Sequence, residues 1–439
     1  MITGIAGRTL LDAYNSKYKK KLTPKEFFDK EFYPLFFNSS RFLMSVTNSP
    51  FDQGYKQKRH LTTEGRTYDY EEFHKKAASG KFDASIYLGG SASDEKEFAA
   101  TSGQVSDVLI PLFEDDIFLS WIGSGLGIMV AGAYMLIFDD PKIILQTFEG
   151  WKIYRKYLDD PTLEKLRPNQ INTWNGQWLT YSLHADFNIN FDFSILTDQN
   201  VFNIDSEKIE VNTVYWSKLF FSLSQLYPNE VLTAYVYSFG QMNKTIGFIP
   251  FQFKAGTKLK SIYRKLTTDD TRISTKDFES LFGMHIKRAC ELGSIGLQTL
   301  RPEGLVKHLT ESKNPSFKND SDKINYYIFK TWLIAMLNKN KEEVTEYTLE
   351  LATAILRYRN SGTKNDRKTL VETLFENKSK KGFIESLTIM IRDLGAEDLL
   401  VMKNFKDEIH LMTNEEFGYF STLLKFDYAF LEKQANLKS

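Results

Sequence analysis

Ile117 to Phe138 reads IFLSWIGSGLGIMVAGAYMLIF, an uncharged stretch bounded by Glu114-Asp115-Asp116 on one side and Asp139-Asp140 on the other. Its length suits a membrane helix. The flanks argue against a span, because a bilayer orients a helix through lysine and arginine beside the apolar run, and here both flanks are acidic. Gly123, Gly125, Gly127 and Gly132 interrupt the stretch. They leave two apolar pieces, Ile117–Ile122 and Ile128–Phe138, each of strand or short-helix length and fit for burial on all sides. The expectation is a buried centre for the main domain and no contact with a membrane.

Composition sets the frame around that centre. A chain of 439 residues exceeds one small core, and at roughly 150 residues per domain it suggests two or three units. Fifty-six basic and 56 acidic residues cancel, so attraction to nucleic acid or to an anionic surface must come from local patches. The 35 Phe and 22 Tyr point first to core filling and second to faces on which bases stack. A single cysteine, Cys290, excludes an intramolecular disulfide and a thiolate zinc cluster. With no charged lead and apolar run at the N-terminus, this makes cytoplasmic residence the expectation.

Upstream, Leu10, Leu11, Tyr14 and Tyr18 recur at helical spacing. Thr23 can cap a second helix that begins at Pro24, carries Phe27, Phe28 and Phe32, and is kinked or split at Pro34. From Thr47 to Gly103 the polar, glycine-containing text, with a basic cluster at Lys56, Lys58, Arg59 and His60, reads as loops. Downstream, Pro141 opens a helix to Leu158, Asn169–Trp178 has no clear pattern, and Phe187–Phe193 alternates like a half-buried strand. Val231–Phe253 reads as a β-hairpin about a Gly240–Lys244 connection. A lysine-rich segment and a helix through Phe278, Leu281, Phe282 and Ile286 follow. Polar text at Lys313–Asp322 reads as a linker before helices at Ile324–Leu337, Val344–Tyr358, Thr369–Phe375, Gly382–Leu394 and Glu415–Leu431. The expected fold is α+β: a mixed α/β body with a β-hairpin over residues 1–317, then a helical bundle over 318–439.

Enzyme signatures are sparse. Ala255-Gly256-Thr257-Lys258 has the letters of a phosphate loop in the wrong order, and Gly123-Ser124-Gly125-Leu126-Gly127 lacks the third glycine of a dinucleotide fingerprint. Neither a G-x-S-x-G elbow nor an i, i+4 pair among the six histidines is present, so no cofactor, no metal and no catalytic residue is assigned. Asp140 followed by Glu149 and Lys152 has the loose spacing of a Mg²⁺-dependent nuclease, although Glu149 and Lys152 three apart on one helix equally make an ion pair. Asp205, Glu207 and Lys208 form a second such match.

Local features favour nucleic acid. At the hairpin tip Gln241 and Asn243 carry amides that can pair with a base edge, and Lys244 can meet a phosphate. Lys258, Lys260, Arg264 and Lys265 can extend the contact along a backbone. A second basic run comprises Arg357, Arg359, Lys364, Arg367, Lys368, Lys378, Lys380 and Lys381.

Three stretches, Gly7-Arg8-Thr9-Leu10-Leu11-Asp12-Ala13-Tyr14 ahead of Leu22-Thr23-Pro24-Lys25-Glu26, the glycine-rich apolar run, and Ser238-Phe239-Gly240-Gln241-Met242-Asn243-Lys244-Thr245, resemble the large subunit of a type I CRISPR effector (Cascade) complex. The resemblance implies a non-catalytic subunit for antiviral defence. Such a subunit joins guide RNA and the other subunits, reads the target-adjacent motif in DNA and recruits a helicase-nuclease. It makes Gln241, Asn243 and Lys244 the expected readers. Many relatives carry a cysteine zinc site, which Cys290 alone cannot form. The alternative is a metal-dependent defence nuclease of restriction type.

Overall fold

A computed structural model of the chain describes residues 2–79, 85–88, 113–184, 187–239, 243–284, 286–311, 313–337, 344–361 and 365–438. The Ile117–Phe138 stretch is a helix followed by a strand pair. Helix Glu114–Gly125 ends among the glycines, and β1 (Ile128–Val130) turns back through Ala131–Ala133 into β2 (Tyr134–Phe138). Ile117, Phe118, Trp121, Ile122, Leu136 and Ile137 are buried. Among the described residues no helix is long and apolar enough to cross a membrane.

Burying that helix requires close neighbours and partners for its freed backbone groups. The N-terminal helix Ile2–Tyr18 supplies the close neighbour. A Cβ on Gly7 would lie 2.1 Å from the Leu119 carbonyl oxygen, and one on Gly123 would lie 1.8 Å from that of Thr3, so both must be glycine for the helices to touch. The carbonyls freed at the helix end are met by helix Ile171–Ser182. Buried Asn175 donates through Nδ2 to the carbonyls of Gly125 (2.7 Å) and Gly127 (2.8 Å), while its Oδ1 accepts from Trp151 Nε1. Asn172 adds donations to Ser124 and Gly127. Aromatic side chains fill the space around this joint, with Trp151 edge-on to Phe36 and Tyr154 stacked on Trp174.

Two short pairs accompany the main sheet: β3 (Phe202–Ile204) with β4 (Ile209–Val211), and later β7 (Phe282–Met284) with β8 (Leu300–Pro302). Between them β5 (Val231–Phe239) and β6 (Asn243–Gln252) join β1 and β2 in an antiparallel sheet of order β1-β2-β5-β6. Ala234, Val236, Ile249 and Phe251 on the inner side are buried, with Phe251 against Phe138 and Phe220 of helix Trp216–Leu226.

The expected elements before the sheet are present. Thr23 forms a capping box with Glu26 ahead of Pro24, and the helix widens to a π-turn over Phe28–Phe32 just before Pro34. That widening accommodates a proline that has no N–H to donate. Three readings need correction. Thr63–Ala78 is a helix capped by Thr62, not loop, but few of its residues are buried, so its apolar pattern is faint. Phe187–Phe193 forms no strand: Phe187 and Phe191 pack edge-on against Tyr181, and Asp192 caps the next helix. The helix expected through Phe278–Ile286 stops at Ser280, and β7 follows from Phe282.

The fold is α+β with a C-terminal helical bundle. It divides into two compact units, Met1–Phe253 with Lys287–Ser294, and Lys254–Ile286 with Ile295–Ser439. The chain passes between the units at Phe253/Lys254, Ile286/Lys287 and Ser294/Ile295. Leu259 and Tyr263 bury one side of helix Lys254–Leu266, which packs on helix Asp320–Leu337. Gln252 donates to Ser294, tying the returning segment to the first unit. The second unit continues through helices Val344–Asn360, Asn365–Glu376, Lys380–Ile391, Ala396–Leu411 and Asn414–Lys438 around buried aliphatic side chains such as Ile355, Leu374, Leu387 and Leu424. The Ala396–Leu411 helix extends the expected set. Inside the bundle, Lys330 and Asp427 form a buried ion pair at 2.8 Å, and the Tyr326 hydroxyl donates to the same carboxylate.

Asn175 gives the sharpest stability test. Asn175→Ala strands the buried Gly125 carbonyl and the Trp151 indole N–H, while Asn172 still meets the Gly127 carbonyl, and is expected to cost roughly 3 kcal/mol in urea unfolding. Asn175→Asp, which keeps the shape but turns a carboxylate toward the two carbonyls, is expected to cost at least as much.

Candidate nucleic-acid interface

Strands β5 and β6 pair from Val231↔Gln252 to Phe239↔Asn243, with a register shift between Val236 and Tyr237. The shift leaves Ile246 as the extra residue beside Gly247, whose φ of +119° belongs to glycine. One result is an outward aromatic step. Tyr235 and Phe248 are directly opposite, their rings 5.5 Å apart, and Phe248 is 66% exposed. Tyr235 also shares a hydrogen bond with the Thr245 hydroxyl at 3.0 Å and lies 5.8 Å from the Tyr237 ring. Tyr237 is held at the base of this face by donating to Met135 Sδ, and burial pushes its phenol pKa up.

The ribbon is less free than a two-stranded arm. β2 runs along β5 from Phe138↔Ala234 to Tyr134↔Ser238, leaving β6 as the sheet's terminal strand. It therefore presents a face and one edge, where the sequence reading expects a narrow two-stranded ribbon in a groove. Gln241 lies outside the described residues, as do the side chains of Asn243 and Lys244.

The basic helix Lys254–Leu266, in the second unit, divides its charges. Lys258 donates to the Ala335 carbonyl at 2.9 Å, and burial, with the nearby Lys254 charge, lowers its pKa. Lys260 pairs at 2.7 Å with Glu279, which is 3% exposed. Both are committed to contacts within the unit. Arg264 and Lys265 are exposed, and the Arg264 carbonyl accepts from Arg272. The arginines of the later basic run face acids in three dimensions. Arg357 pairs with Asp398, Arg359 with Glu432, and Arg367 lies over the Tyr358 ring near Asp393. Lys380 donates to the Met412 carbonyl, and Lys364 is outside the described residues. The early basic cluster is similarly engaged, with Lys56 on Asp52, Arg59 on Asp69, and His60 buried against Tyr55.

The nuclease candidates do not converge. Asp140 caps helix Pro141–Asp159, accepting from the backbone of Lys142 and Ile143 and from the Tyr227 hydroxyl. Glu149, nine positions along the same helix and so about 13 Å away at helical rise, bonds Lys17, Tyr18 and Lys152. Burial raises its pKa, but these three donors win and hold it below the ordinary value. Asp205 accepts from the backbone of Glu207 and Lys208, closing the β3–β4 turn. Among the described residues no three metal-binding side chains gather.

The residues missed in sequence are Tyr235 and Phe248. Alternation marks Tyr235 as facing away from Ala234 and Val236, but the bulge at Gly247 hides the matching position on β6. Lys260→Met removes the ammonium facing the buried Glu279 carboxylate, and is expected to cost roughly 3 kcal/mol in urea unfolding. Lys265→Ala, on the surface, is expected to change stability by less than about 0.5 kcal/mol in the same measurement.

No family model matches the chain, and neither a curated protein nor a solved structure does.

Proposed function

We propose that the chain is a non-catalytic nucleic-acid-binding protein whose contact surface is the outer face of β5–β6. The observation that carries this reading is the Tyr235–Phe248 pair on the sheet, exposed Phe248 beside half-buried Tyr235, because every base has a π-face and stacking on an aromatic platform is worth about 1–3 kcal/mol per base. Buried Ala234, Val236 and Ile249 hold the strands beneath it, so the rings are displayed without a flexible loop. Net neutrality and the internal pairing of Lys258 and Lys260 favour binding that rests on stacking more than on phosphate charge. Single strands, with bases free to turn outward, fit such a face better than a closed duplex.

The finer reading is a subunit of a CRISPR type I antiviral complex that holds guide RNA, reads target DNA with Gln241, Asn243 and Lys244, and recruits a helicase-nuclease. It draws on the sequence resemblance. Part of that resemblance has a packing explanation, since Gly7 is required by the contact with Leu119. The nuclease alternative has no observation of its own once Asp140 is a helix cap and Glu149 an ion-pair partner.

Fluorescence anisotropy with short labelled single-stranded RNA, single-stranded DNA and duplex DNA tests the surface. Single strands are expected to bind with a shallow salt dependence, and Tyr235→Ala and Phe248→Ala are each expected to weaken binding by about fivefold to a hundredfold, with circular dichroism unchanged. Failure of the native protein to bind any of the three at low salt, or a double variant that binds normally, would overturn the assignment. Co-purification of RNA from cells expressing the chain with its gene neighbours tests the effector-complex reading separately.

A further inference from the structure

The second unit contains a cavity of about 230 Å³, the liquid volume of about eight waters, walled by helices Val344–Asn360, Asn365–Glu376 and Asn414–Lys438 and by the Asn314-Pro315 segment. Its position follows from helical periodicity. Lys425, Tyr428, Ala429 and Glu432 fall at i, i+3, i+4 and i+7 on one side of the last helix, and Lys368, Val371, Glu372 and Phe375 repeat that spacing opposite them. Phe375 and Tyr428 meet with ring centroids 4.8 Å apart and form the aromatic wall.

The charges in this wall are unequally satisfied. Arg359 pairs with Glu432 and also donates to the Tyr428 hydroxyl, and Lys368 lies 3.9 Å from Glu372. Lys425 is half-buried and has neither a hydrogen-bond acceptor nor an ion-pair partner among the described residues. Glu376 acts on it only through space, and Lys378 opposes it. Burial, with that opposition, lowers the Lys425 pKa, as expected for an ammonium short of partners.

We propose that this cavity binds a small organic or inorganic anion whose carboxylate or phosphate group docks on the Lys425 ammonium. Arg359 and Lys368 already face Glu432 and Glu372, so the cavity offers the one ammonium of Lys425 to a single small anion and no basic track to a nucleic-acid backbone. This site is therefore independent of the β5–β6 face. Small size follows from the volume, which is below the range of sites for drug-sized ligands.

Calorimetric titration of the full chain with inorganic phosphate and with acetate, at matched ionic strength against chloride, tests the proposal. Saturable binding of at least one anion is expected, and which one binds separates phosphate from carboxylate recognition. Lys425→Met is expected to weaken it by about tenfold or more, and Lys425→Arg to retain it. Should Lys425→Met fail to fold, the native chain still decides: acetic anhydride labelling of Lys425, read by mass spectrometry, is expected to fall when the binding anion is present. No binding beyond chloride, unchanged affinity in a folded Lys425→Met protein, or no protection of Lys425 would each overturn the site.

Discussion

The hydrogen bonds from Asn175 to the carbonyls of Gly125 and Gly127 are the constraint on which the first unit depends. A helix can end inside a protein only if its last carbonyls find donors there, since leaving one unmet costs about 1–3 kcal/mol. Asn175 meets two with one amide and passes its own oxygen to Trp151, joining three helices at one residue. With that end closed, Gly7 and Gly123 let the first helix press against the same segment from the other side. The chain beyond Gly127 can then turn straight into β1, and the sheet that carries the outer aromatic face is built from there.

Charge is handled by the same economy. The chain reads as a succession of basic runs with an equal number of acids elsewhere, and folding brings the two sets together. Arg357, Arg359 and Lys260 find Asp398, Glu432 and Glu279, all remote in sequence. These pairings engage three of the cations with acids, and the Tyr235–Phe248 step is the outward feature of the sheet.

The last helix shows how differently one element can treat two charges. Asp427 is fully buried and is met by Lys330 and by the Tyr326 hydroxyl. Lys425, two positions away and so about 200° around the helix, faces a cavity with no such partner. A buried pair of this kind fixes how the helices seat, because removing one member leaves the other charge without compensation.

Much of the architecture is legible in the residues. Helix starts at Thr23-Pro24 and Asp140-Pro141 are local, since a capping oxygen and a proline's fixed φ act within one turn. The β5–β6 hairpin, the helical C-terminal region and the buried character of Ile117–Phe138 are legible for the same reason, being written in short-range periodicity. Tertiary structure alone decided the rest. Phe187 and Phe191 alternate like a strand but had rings to pack against instead. The lysines of Lys254–Leu266 look like one exposed track until Ala335 and Glu279 claim two of them. Which carbonyls need Asn175, which cations find acids and which aromatic rings stay in solvent are all set by partners remote along the chain, and only the folded chain determines those distances.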